Sequence, residues 1–230
     1  MKSENMKYLR FSLISMVALA SLPFISLGQF SHIDVEEVDN GGVVAGRTYR
    51  VYAVMESEGD VIDAIFGESG KPLRIESSSS FYQHPKGGGL AAEVQRFDIQ
   101  NDASLLYDSW VTIGLEDNYM NSLTAFPPDT EFFGLFEAGG ALSTDNGAWF
   151  VLPDKRQAFA PEDKRILIGQ FTTTGKVSGL INIHGRTNAI LGEDGTVQSG
   201  AQLIQAEGVE FLIGNMKCGF FRRLFKACRA

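Results

Sequence analysis

Carboxylates are the richest source of chemistry in this chain. Glu56, Glu58, Asp60 and Asp63 follow one another closely. Asp34, Glu36, Glu37 and Asp39 form a second cluster before Asn40-Gly41-Gly42, and Glu116, Asp117 and Asn118 a third. In an extended segment, the spacing Glu56-x-Glu58-x-Asp60 puts three carboxylates on one side. Calcium, which takes about six to eight oxygens, is the ion such a loop would hold. The late bidentate glutamate of an EF-hand loop is missing, so the match is compositional. The expectation is a calcium site at Glu56, Glu58, Asp60 and Asp63, set against a solvated acidic surface. Two facing carboxylates about 5–10 Å apart would instead suit glycoside hydrolysis, but no local pattern selects such a pair.

Nucleophilic and zinc chemistry find little support. The three histidines, His32, His84 and His184, form no HExxH and no pair at metal spacing. No G-x-S-x-G marks a nucleophilic serine. Aromatic rings can stack on the C–H faces of sugars, as they do on other apolar partners. Tyr82 and Tyr119 lie beside turn residues and are the candidate ligand-binding rings. Trp110 and Trp149 sit inside short apolar runs and read as core.

The first 28 residues have a leader's composition. Lys2, Lys7 and Arg10 precede an apolar run from Phe11 to Leu27, with small residues at Ser26 and Gly28. Residues 1–28 are therefore expected to be a signal peptide and 29–216 the domain, carried out of the cytoplasm. The formal charge of the whole chain is −8. The leader contributes +2 and the last fourteen residues +5, which leaves −15 for the body. That charge repels phosphate backbones and argues against a nucleic-acid partner.

Residues 217–230 form a basic tail holding both cysteines, Cys218 and Cys228. In a helix, Phe220, Phe221, Leu224 and Phe225 would share one face, with Arg222, Arg223 and Lys226 towards the other. Such a segment suits an anionic membrane surface or an acidic protein face. An unbroken helix would hold the cysteines about 15 Å apart, whereas a disulfide wants Cα atoms within about 7 Å. The tail is therefore either a helix or a stapled loop, with the Cys218–Cys228 staple favoured in an oxidising compartment.

The elements that must position these groups read as strands. Thr48–Met55, Val61–Gly67, Ser109–Leu115 and Ala148–Leu152 are β-branched or aromatic runs bounded by turn residues. Arg165–Thr172 and Val177–His184, around Thr173–Lys176, predict a hairpin. A closing strand within Ala201–Ile213 is interrupted at Gly208, where a bulge fits. Gln95–Leu106 is the best helical candidate. The composition predicts an all-β fold, an antiparallel, jelly-roll-like β-sandwich with a phenylalanine-rich core.

The motifs GGVVAGRTYRVYA (41–53), AIFGESGKPLRIESSSSFYQHPKGG (64–88), LLYDSWVTIGL (105–115), FEAGGALSTDNGAWFVLPD (136–154) and RILIGQFTTTGKVSGLINIHGR (165–186) occur in that order. This order resembles a β-rich module of large secreted proteins of marine Bacteroidota-type bacteria. The resemblance implies an extracellular unit with no established activity, so no catalytic residues carry over. Larger members often end in a sorting domain where this chain has its basic tail, so the periplasm is a second expected destination. The sequence thus predicts an exported, non-catalytic extracellular or cell-envelope module with a structural, adhesive or surface-interaction role. A calcium-assisted glycan-binding module and a polysaccharide-active jelly-roll enzyme are the alternatives.

Overall fold

The computed structural model describes residues 30–127, 131–152, 154–188, 190–191 and 197–214. The leader (1–28) and the tail, with Cys218, Cys228, Phe220, Phe221, Arg222, Arg223, Leu224, Phe225 and Lys226, lie outside them. In chain order the strands are β1 (Phe30–Val38), β2 (Arg47–Met55), β3 (Val61–Gly67), β4 (Leu73–Ser77), β5 (Trp110–Val111), β6 (Thr124–Phe126), β7 (Leu142–Thr144), β8 (Gly147–Phe150), β9 (Arg165–Thr173), β10 (Val177–Arg186), β11 (Ile190–Leu191), β12 (Val197–Ser199) and β13 (Leu203–Ile213). Two short helices, α1 (Arg96–Ile99) and α2 (Glu131–Glu137), interrupt them.

Two antiparallel sheets pack face to face, as the sequence predicts. The smaller has the order β1-β2-β9-β5; the larger runs β6-β8-β3-β10-β4-β7, with β13 on β10. β11 and β12 pair separately. Alternation along β2 sets its faces. Tyr49, Val51, Ala53 and Met55 are buried between the sheets, while Arg50, Tyr52 and Val54 stay partly exposed on the other side. Isoleucine and valine fill most of the core around a Phe81–Phe136–Phe171 ring cluster with centroids 5.3–6.3 Å apart. Phenylalanine is less dominant than its abundance suggests, since Phe97 and Phe126 are exposed.

The predicted hairpin is absent: β9 and β10 belong to different sheets. The link between them passes from one sheet to the other, and its polar groups are satisfied by the serine run at the end of β4. Thr173 Oγ1 donates to Ser80 O at 2.9 Å, Lys176 N donates to Ser78 Oγ at 2.9 Å, and Ser78 N donates to Lys176 O at 2.9 Å. The link from β2 to β3 also passes from one sheet to the other.

On β10, β3 and β4 lie end to end, pairing with residues 182–186 and 177–180 respectively. Buried Asn182 fills the break between them. Its Nδ2 donates to Phe66 O and Lys71 O at 3.0 and 2.9 Å. Its Oδ1 accepts from Gly208 N at 2.9 Å, where β13 shifts register and Gly208 takes φ +64°. The bulge falls where the sequence places it.

The helical candidate 95–106 resolves into α1 and a 3-10 turn at Ala103–Tyr107. Together with Ala91 and Val94, this stretch covers part of the outer face of the smaller sheet. There Ala91, Val94, Leu105, Trp110 and Leu167 form a second, small core.

Candidate functional site

Three successive backbone amides organise one end of the molecule. Gly88 N donates to Asp108 Oδ2 at 3.2 Å, Gly89 N to Glu137 Oε1 at 3.0 Å and Leu90 N to Glu93 Oε2 at 3.0 Å. The three-glycine run makes this possible. A Cβ on Gly87 would fall onto the Asp108 carboxylate, one on Gly88 onto Glu93, and one on Gly89 onto Phe133 and Glu137. Glu93 and Glu137 line a cavity of ≈440 Å³ with Leu90, Thr124, Ala125, Phe133 and Gly134. Partial desolvation raises the Glu93 carboxyl, the Leu90 N–H opposes this, and the Glu137 charge adds to it. Fully buried Asp108 is pushed up to about 6, chiefly by desolvation, despite the N–H groups it accepts. Two carboxylates over one cleft are the elements of glycoside hydrolysis. Here each spends an oxygen anchoring the main chain.

A Ser104–Asp102–His84 chain lies alongside. Ser104 Oγ donates to Asp102 Oδ1 at 2.6 Å, and Asp102 Oδ2 lies 3.1 Å from His84 Nε2. His84 Nδ1 accepts from Lys86 N at 3.1 Å, which leaves the ring hydrogen on Nε2, towards Asp102. The Ser104 hydroxyl, its backbone N–H and His84 hold the Asp102 carboxyl below the usual range. The order is wrong for a nucleophilic serine, which must donate to the imidazole.

The second cavity, ≈320 Å³, lies over the small outer core. Its lining includes Leu105, Leu106 and Trp110, with Arg96, Gln100, Glu116 and Asp117 as its polar members. The third acidic cluster of the sequence becomes an ordered knot here. Arg96 Nε and Nη2 donate to Asp117 Oδ2 and Oδ1 at 2.7 and 3.1 Å, and Tyr119 N donates to Asp117 Oδ1 at 2.8 Å. Asn118 Oδ1 accepts from Arg96 N at 3.0 Å, and Arg50 pairs with Glu116. The Arg96 guanidinium sits 4.3 Å from the centroid of the ring of Tyr119, a residue 57% exposed. Phe97 (74%) and Met120 (78%) adjoin these two residues in the chain, and Leu106 (45%) lines the groove.

The other candidates fall elsewhere. Glu56 and Glu58 are exposed, while Asp60 is buried and accepts from Ser57 N at 3.1 Å and Asn188 N at 3.0 Å. Asp63 Oδ1 lies 2.5 Å from His184 Nδ1. Among the described residues, no three His, Cys, Asp or Glu side chains gather in a group that could hold a metal ion. Half-buried Tyr82 is tied through its backbone to Thr172 and Ser109, and neither Tyr82 nor Tyr119 lines either cavity. Trp110 and Trp149 are buried, with Trp149 Nε1 donating to Thr112 O at 3.1 Å. Sequence reasoning passed over Arg96 and Glu137 because their partners are distant in the chain; it also passed over Glu93, whose partner Leu90 is only three residues away.

No helix among the described residues is long and apolar enough to cross a membrane. No family model matches the chain, and neither a curated relative nor a solved structure matches it.

Proposed function

We propose that this chain is an exported, non-catalytic module of the cell surface or extracellular space that attaches to its surroundings through the exposed surface around Tyr119. One observation carries the reading: the exposed Tyr119 residue lies against the Arg96 guanidinium, which Asp117 holds, and Phe97 and Met120, next to these two in the chain, are exposed as well. Large apolar groups left exposed together suit recognition, and a ring that already rests against a held guanidinium loses less freedom when a partner arrives. A non-catalytic role is supported by the use of Asp60, Asp102, Asp108 and Glu137 as loop anchors. The leader composition and the acidic body support a place outside the cytosol without a nucleic-acid partner. The basic tail from Lys217 is a second attachment point, for an anionic membrane surface or an acidic protein face.

The test is retention. The full chain, expressed with an epitope tag in a bacterium of the Bacteroidota type, is expected in the envelope or extracellular fraction and should resist washing from cells. Tyr119→Ala combined with Met120→Ser should release it while leaving the thermal transition in place. Unchanged retention, or reducing ends released from a polysaccharide panel, would overturn the reading.

A further inference from the structure

Resting on the proposal that the basic tail attaches to an acidic protein face, we infer that the protein is its own body: residues 217–230 fold back over the outer side of the larger sheet. Strand pairing fixes which side chains look outward there. Ile65, Trp149, Val177 and Ile181 are buried in the core, so their neighbours along each strand face the other way. The register then sets Phe126 beside Ala148 beside Phe66, and Thr124 beside Phe150 beside Ala64. None of these side chains is charged. Phe126 is 56% exposed, and Phe66 and Phe150 are half-buried. Half-buried Leu180 on β10 and exposed Leu212 on β13 look outward too, so apolar side chains lead from this block to the end of β13. An uncharged block with three phenylalanines marks a surface that another element covers.

Reach and charge select the tail as the occupant. Ile213 pairs with Val177, and Phe66 with Asn182. Phe66 therefore lies five residues along β10 and two strands across from Ile213. That is about 19 Å, at about 3.3 Å per residue and about 4.8 Å per strand. The seven residues from Ile213 to Phe220 can span about 23 Å. Phe220, Phe221, Leu224 and Phe225 are then within reach of the outward phenylalanines, whichever form the tail takes. A second copy would bring another body of −15 against this one, whereas the tail brings +5. An anionic lipid surface meets the same repulsion as a second copy. Exposed Glu210 lies opposite Leu180 on this face and has no cation partner among the described residues, so it is open to a basic side chain of the tail.

The experiment introduces the photo-reactive Phe126→p-benzoylphenylalanine, at an exposed position, into the full exported protein. It is irradiated alone and with vesicles of phosphatidylglycerol and phosphatidylethanolamine. The expected product is a monomer cross-linked to a peptide from residues 217–230, in a yield that the vesicles do not change. Phe220→Ser, Phe221→Ser, Leu224→Ser and Phe225→Ser together should remove that product. Without the photo-reactive group, the same four changes should shift the amide resonances of residues 64–66 and 148–150 and leave 116–120 unmoved. Cross-linked dimers, cross-links to lipid, or a monomer without the tail peptide would overturn the inference. So would resonances at 64–66 and 148–150 that ignore the serine changes. The cell-retention assay is run in parallel. If the Tyr119→Ala, Met120→Ser variant is released but no tail peptide is captured, the folded-back tail falls and attachment around Tyr119 stands. If that variant is retained, attachment around Tyr119 falls whatever the cross-link shows.

Discussion

Oε1 of Glu137 accepts a hydrogen bond from the backbone nitrogen of Gly89 at 3.0 Å, across 48 residues of sequence. The amides on either side of it do the same for Asp108 and Glu93. Carboxylates from three parts of the chain thus meet one glycine run, and the glycines are needed for the space their missing side chains leave.

Gly87→Ala is expected to destabilise the protein by about 1–3 kcal/mol, because its Cβ meets the buried Asp108 carboxylate. Gly134→Ala in α2 meets nothing within 4 Å and should be neutral or stabilising by up to about 1 kcal/mol. Urea denaturation of the two variants checks both signs. Equal effects would refute the space argument.

Asp108 makes stability depend on pH in an unusual direction. Its folded carboxyl titrates at about 6 against 3.8 for the free group, so between those values the folded state binds more protons than the unfolded one. Stability from this group is complete below about pH 4 and is lost as pH rises through about 6. The raised Glu93 acts in the same direction. Lowering the pH from 7 to 4.5 should add about 2 kcal/mol from Asp108. Asp108→Asn should flatten that slope whatever it does to absolute stability, and an unchanged slope would show that another group titrates.

Arg165 ties the edge strand β1 down. Its guanidinium lies 3.9 Å from the Tyr52 ring centroid and pairs with Asp34 and Glu36 at 3.1 and 3.2 Å. Arg165→Ala should speed amide exchange across Phe30–Val38 about fivefold, as expected for a local loss of about 1 kcal/mol. Exchange confined to its old rate would mean the network contributes nothing.

Asp60 separates an anchoring role from a metal-binding one. With both oxygens on loop amides, Asp60→Ala should cost about 1–3 kcal/mol by leaving those donors unpaired. The loss should be the same in calcium and in chelator. A loss seen only with calcium present would instead establish the metal site at Glu56, Glu58, Asp60 and Asp63.

Local pattern carries the strands. β3 spans Val61–Gly67 as its β-branched run predicts, and β2, β9 and β10 match within two residues, because strand propensity and face alternation are short-range properties. The bulge at Gly208 was legible for the same reason. Acid-rich β1 was missed, since its outward charges hide a strand whose inward side is Ile33 and Val35.

What the sequence determined alone was the class of the fold: period-two apolar runs separated by turn residues leave antiparallel sheets as the way to bury them. Tertiary structure decided which sheet each strand joins, sending β9 and β10 to opposite layers. It also brought Arg96 to Asp117 and Glu137 to Gly89. These pairings depend on how the whole chain crosses between layers, so no window of neighbouring residues contains them.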